Sequence, residues 1–195
     1  MIYNNSTLNK ALESTKSLDD VLKIPVGRAV MHRLPWLLIG LGGGVFAARI
    51  VEGFQATLSE NLFLASFIPL IVYTSDAVGT QMEAFAIRDL AIKSHLHFIK
   101  YFIKQFLVVS VIGVILSTTL LLIFLVTNQG LQVGLVLSIS LFAAIMSSLA
   151  TGLLVPYIFA RIKFDPANAS GPIATIIQDL LSVSVYFAIA NSLLY

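Results

Sequence analysis

The chain has 195 residues, 57% of them hydrophobic and 11% charged, with a net charge of +2 and a mean hydropathy of +0.91. A soluble domain carries about 25% charged residues, so one water-facing core cannot absorb this much apolar side chain, and so small a net charge gives no reason to expect a nucleic-acid partner. Cysteine is absent, which excludes disulfides, thiolate metal sites and thiol nucleophiles.

The first 33 residues are polar and of mixed charge. They lack the early apolar stretch and small-residue cleavage site of a secretory signal peptide and read as a cytoplasmic arm. Within it, Ser17 can cap a short surface helix starting at Leu18-Asp19-Asp20-Val21-Leu22 that Pro25 ends or bends; an arm without fixed structure fits equally well.

A membrane-spanning helix needs about 20 predominantly apolar residues, and five stretches qualify. They run approximately over Leu34–Phe54, Asn61–Gly79, Phe98–Thr127, Leu131–Phe159 and Gly171–Leu194. They are too long for barrel strands and lack strict alternation, so helices are the solution that satisfies every backbone group in lipid. The expected fold is all-α, one five-helix membrane domain over residues 34–195. Lys and Arg fall in the arm (Lys10, Lys16, Lys23, Arg28, Arg33), after the second span (Arg88, Lys93, Lys100, Lys104) and after the fourth (Arg161, Lys163), whereas the loops around Glu60 and Asn128-Gln129-Gly130 carry none. The positive-inside rule then places this multi-pass protein in a cell (inner) membrane with its N-terminus in the cytoplasm and its C-terminus outside.

Acidic side chains within a span are rare and mark ion routes or buried pairs. Asp179 stands about 12 Å along the fifth span, at 1.5 Å per residue from Gly171. At helical spacing it shares a stripe with Thr175, Ser182 and Tyr186, with Gln178 and Ser184 at the margins. The stripe reads as a cation-binding face or as an interhelical pin. Asp76, between Tyr73-Thr74-Ser75 and Gly79-Thr80-Gln81, reads either as a ligand beside a turn that Gly79 unwinds or as a helix end at the membrane surface. Glu52 reads as an i,i+3 partner of Arg49 or a carboxylate at the outer entrance. Asp165, in Phe164-Asp165-Pro166-Ala167, reads as a cap or an inner-vestibule ligand. His95 and His97, two residues apart, do not share a helix face. Gly40, Gly42, Gly43 and Gly44 suit close helix packing rather than phosphate binding. No nucleophile–base pair is visible, so a membrane enzyme is not expected, nor is an organic cofactor. Hard cations take oxygen ligands, and Mg²⁺ keeps much of its water beside one or two carboxylates. One deep acid compensates a 2+ ion poorly. Two chains about a two-fold axis present two Asp179 carboxylates, which favours a homodimer embedded in lipid with a central pore.

The stretch from Leu154-Val155-Pro156 through Asp165-Pro166-Ala167 and Ser170-Gly171-Pro172 to Thr175 and Asp179 resembles the membrane domain of MgtE-type magnesium transporters and channels. Arg33-Leu34-Pro35-Trp36, Phe67-Ile68-Pro69, Gly79-Thr80-Gln81 and Arg88-Asp89-Leu90-Ala91 extend the resemblance over residues 33–195. It implies a five-span homodimer with a central cation pathway, an ion held at the position of Asp179, and Asp165 toward the cytoplasmic side. The family's second span typically reads Gly-Gly-Asn-Thr-Gly-Asn-Gln. Here Ala77 takes the Asn position and Asp76 precedes it, an acid that can substitute as a ligand. Bacterial members usually add a large cytoplasmic sensor, and only about 33 residues stand before the first span here, so regulation by a separate subunit, or none, is expected. The implied cargo is Mg²⁺, with Mn²⁺, Co²⁺ and Ca²⁺ as alternatives. Uniport, exchange against Na⁺ or H⁺, and a purely structural membrane subunit are the competing functional readings.

Overall fold

The structure, a computed structural model, describes residues 22–54, 62–92, 97–128, 130–162 and 166–194. The described residues form helices α1 (Val26–Gly53), α2 (Leu62–Ala65), α3 (Ile68–Ile92), α4 (Phe98–Val126), α5 (Leu131–Leu149), α6 (Val155–Arg161) and α7 (Pro166–Leu194), with a π-helical turn (Ala150–Leu154) joining α5 to α6. Five of the resulting rods are long and apolar enough to cross a membrane: Val26–Gly53, Phe63–Ile92, Phe98–Val126, Leu131–Arg161 and Ser170–Leu194. They are the five expected spans, and the protein is an all-α, multi-pass membrane protein.

Two boundaries differ from those read in the sequence. The first helix begins at Val26, ahead of the apolar run, with the Pro25 carbonyl accepting from Ala29 N at 3.0 Å. Arg28 and Arg33 lower the hydropathy there without breaking the helix. The short surface helix expected to start at Leu18 lies, except for Leu22, outside the described residues. The second helix continues unbroken past Gly79 to Ile92, so the unwound turn expected at Gly79 does not form. The missing side chain serves close approach instead: a Cβ on Gly79 would lie 3.3 Å from Ser148 Cβ, and a Cβ on Gly152 only 2.6 Å from the Gly79 carbonyl oxygen.

The irregularity sits across that contact, in the fourth span. Pro156 has no N–H to donate to the preceding turn, and its ring crowds the carbonyl four residues back. The wider turn over Ala150–Leu154 accommodates it.

Antiparallel packing of the second and fifth spans is fixed at three levels. Tyr186 Oη donates to the Leu64 carbonyl (2.8 Å), Ser75 Oγ meets Ser182 Oγ (2.7 Å), and Ser170 Oγ donates to Glu83 Oε1 (2.6 Å). The fourth span closes over both. Its buried face, including Leu137, Leu141, Ala144 and Ile145, meets Ile71, Val78 and Met82 of the second span and Val183 and Phe187 of the fifth. The third span packs on the fourth, with Phe124 joining Phe63 and Phe67 in an aromatic cluster at one end. The first span rests chiefly on the fifth, through Phe54 stacked on Phe187 at 4.6 Å, and none of its residues is buried. Its exposed Leu37, Leu38, Leu41, Val45 and Phe46 need lipid or a second chain to cover them.

Tyr186 is fully buried. In Tyr186→Phe the Leu64 carbonyl loses its side-chain donor, and the expected loss of stability is about 1–2 kcal/mol, read as a lower unfolding midpoint in detergent.

Candidate cation site

The second span carries Asp76 and Glu83, and the fifth carries Asp179 and the acid-binding hydroxyls of Thr175 and Ser170. Asp76 accepts a hydrogen bond from the Thr175 side chain, and its charge acts on both Asp179 and Glu83. Three of the residues singled out in the sequence therefore come together: Asp76, Thr175 and Asp179. Thr175 is exposed in the single chain, and the two acids are half-buried. Thr175 and Asp179 border a cleft of about 300 Å³ whose other wall is the glycine face of the first span, Gly40, Gly43 and Gly44. A Cβ on Gly43 would run into the Ile176 side chain, so glycine there lets the two helices approach.

The expected polar stripe of the fifth span divides in two. Thr175 and Asp179 face the cleft. Gln178, Ser182 and Tyr186 are buried behind it, at 1%, 0% and 0% exposure. The Gln178 amide has its partners within the bundle: Thr151 Oγ1 donates to Oε1 (2.7 Å), and Nε2 lies within bonding distance of Ser182 Oγ (2.9 Å), the Ala144 carbonyl (3.2 Å) and Ser147 Oγ (3.2 Å). Gln178, placed at the margin of the stripe by sequence spacing, is its structural centre. Periodicity ranks residues by angle and does not say which polar edge meets protein.

Glu83 is the residue that the sequence reading passed over. It is 6% exposed and bonded to Ser170 at the start of the fifth span. A usable signal was present: Asp76 and Glu83 are seven residues apart, two helical turns and about 10 Å along one face. Reading the span as ending at Gly79 put Glu83 in a loop.

The other expected residues lie apart. Glu52 is exposed and paired with Arg49 at 2.7 Å, the i,i+3 arrangement that was one of its two readings. Asp165 lies outside the described residues. Among the described residues no three His, Cys, Asp or Glu side chains gather closely enough to hold a metal ion. One chain thus offers two facing carboxylates and a hydroxyl, an incomplete oxygen shell for a hard cation, with water and further protein needed to finish it.

Residues 68–189 match the family described as MgtE, divalent cation transporter. The chain is 34% identical over 176 residues to the magnesium transporter MgtE of Enterococcus faecalis, covering 89% of this chain and 39% of that protein. It is 30% identical over 170 residues to the Bacillus subtilis magnesium transporter MgtE (86% and 38%), and 28% identical over 170 residues to that of Thermus thermophilus (84% and 37%). The chain therefore spans less than two-fifths of the length of these curated relatives. The family match takes in Asp76, Glu83, Thr175 and Asp179 and more than half of the chain: it belongs to the MgtE family of divalent cation transporters.

Proposed function

We propose that this chain forms the membrane pathway of a divalent cation transporter whose principal cargo is Mg²⁺, held at Asp76 and Asp179 on its way through the bilayer. The observation that carries the reading is the facing of these two acids across the second and fifth spans, beside a hydroxyl and an open cleft. Carboxylates at that depth are costly in lipid. Their cost is offset when a doubly charged ion neutralises them. The relatives' names, each a magnesium transporter, support Mg²⁺ over other divalent ions.

The site asks for a second copy. Thr175 and Thr80 are exposed in the single chain, each one helical turn from a half-buried acid, Asp179 and Asp76. A polar face of this kind at membrane depth belongs against water or protein, not acyl chains. A two-fold axis along it closes a central route and doubles the carboxylates to four, enough to hold a hydrated 2+ ion without stripping it. The bases Arg28, Arg33, Arg88, Lys100, Lys104 and Arg161 terminate spans on what we take as the cytoplasmic side, with the C-terminus outside. An inside-negative potential of 100 mV then favours entry of a 2+ ion by about 4.6 kcal/mol, so no coupled ion is required.

The test is uptake into proteoliposomes. The purified chain should admit Mg²⁺ under an imposed inside-negative potential, with no Na⁺ or H⁺ gradient, at a rate well above that of empty vesicles. Uptake that appears only with a second gradient would make it an exchanger. No uptake from a stable dimer would make it a structural subunit.

Glu52 sets a useful contrast. Its ion pair is exposed and of the kind worth about 0–1 kcal/mol. Glu52→Gln should leave Mg²⁺ uptake within about twofold of native in the same vesicles, because the pair lies outside the group formed by Asp76, Thr175 and Asp179.

A further inference from the structure

Each of the two facing acids is immediately preceded by a buried polar residue: Ser75 before Asp76, Gln178 before Asp179. Both buried residues bond to Ser182. Gln178 Nε2 donates to Ser182 Oγ at 2.9 Å, and Ser182 Oγ meets Ser75 Oγ at 2.7 Å. Ser75 Oγ in turn donates to the Ile71 carbonyl at 2.9 Å. With one proton per hydroxyl, one order satisfies all three contacts: Gln178 N–H to Ser182, Ser182 O–H to Ser75, Ser75 O–H to the backbone. In that order each hydroxyl proton has an acceptor, and Ser75 and Ser182 are both fully buried.

Neighbouring residues on a helix leave its axis about 100° apart, at 3.6 residues per turn. Pinning Ser75 and Gln178 inward therefore sets the direction in which Asp76 and Asp179 project. Because both pins converge on one oxygen, they set the two directions relative to each other and across two different spans. Gln178 is also tied to the fourth span through Thr151 and Ala144, which anchors the arrangement to the bundle core.

We propose that Ser182 is a positioning residue, not a ligand, and that its bonds to Ser75 and Gln178 hold the two carboxylates at the separation that favours Mg²⁺ over larger divalent ions. The inference rests on the transport reading above. The physical basis is the difference between the ions. Mg²⁺ keeps its waters in a near-octahedral shell of fixed size that the carboxylates can grip, whereas Ca²⁺ accepts six to eight oxygens at longer and more variable distances. A pair of carboxylates held rigidly can discriminate, and a pair allowed to drift accommodates the larger ion. Interhelical hydrogen bonds of this type add only modestly to membrane-protein stability, so the serine variants are expected to fold.

The experiment is paired Mg²⁺ and Ca²⁺ uptake by the full chain in proteoliposomes, read as the ratio of the two rates. Ser182→Ala should raise the Ca²⁺-to-Mg²⁺ ratio at least threefold. Ser75→Ala should shift it in the same direction, the double variant should be no worse than Ser182→Ala because the two share one bond, and Ser182→Thr, which keeps the hydroxyl, should restore the native ratio. A purely structural role lowers both rates together and leaves the ratio unchanged, which would overturn the proposal. Should Ser182→Ala carry neither ion, Ser75→Ala, which spares the Gln178 bond, decides by the same ratio. Native vesicles that admit no divalent ion defeat the transport reading and this inference together; native uptake with an unmoved ratio defeats this inference alone.

Discussion

Asp179→Asn is expected to reduce Mg²⁺ uptake to the level of empty vesicles while the protein still purifies as the native species does. The substitution keeps the size of the side chain and removes its charge. In the single chain Asp179 faces Asp76 and a cleft rather than the bundle core, and the residues that lock the fifth span in place, Gln178, Ser182 and Tyr186, are untouched. With Asp76 left as the other facing acid, a two-fold assembly drops from four carboxylates to two. A doubly charged ion entering low-dielectric surroundings depends on that compensation, so the effect on rate should be far larger than any effect on stability. Uptake at the native rate would remove Asp179 from the pathway.

Gly152→Val is expected to produce the opposite pattern, a large loss of stability without direct contact with the ion. A Cβ at this position meets the Gly79 carbonyl oxygen at 2.6 Å and Met82 Cβ at 3.0 Å. The first of these is backbone and cannot swing away. The second and fourth spans must separate, and overpacking of this kind costs about 1–3 kcal/mol, with the branched side chain adding strain to a turn already widened for Pro156. The checks are the unfolding midpoint in detergent and the yield of dispersed protein, both of which should fall. An unchanged midpoint would mean that the two spans do not meet at these glycines.

Much of this arrangement was legible from residue order because lipid imposes length. Five apolar stretches of about 20 residues have few alternatives, and Asp179 stood out within one of them. The second span shows where the reading ends. Its polar run Gly79-Thr80-Gln81 looks like a helix terminus when only hydropathy is considered, yet the helix proceeds to Ile92 because its backbone bonds are internal and the fourth span covers Gly79. That misplaced end hid Glu83, a buried carboxylate paired with Ser170. The fifth span shows a second limit. Thr175, Gln178, Asp179 and Ser182 all look alike as polar residues on one side of a helix. Only the positions of Ser75, Ser147 and Thr151, brought in from 27 to 107 residues away, separate those that hold the bundle from those that face the cleft.

Glu83 and Asp76 stand two turns apart on one face of the second span. From Asp179 and Asp76 the next acid toward the Ser170 end is Glu83, bonded to the first turns of the fifth span.

The measurement that bears most directly on the account is the position of a bound divalent ion. Crystals of the full chain grown with Mn²⁺, a scatterer with Mg²⁺-like oxygen chemistry, should show an anomalous peak between the second and fifth spans, on or beside a two-fold axis and within water-mediated reach of Asp179 and Asp76. An assembly in which both carboxylates point away from any aqueous route, with Mn²⁺ bound elsewhere or not at all, would contradict it.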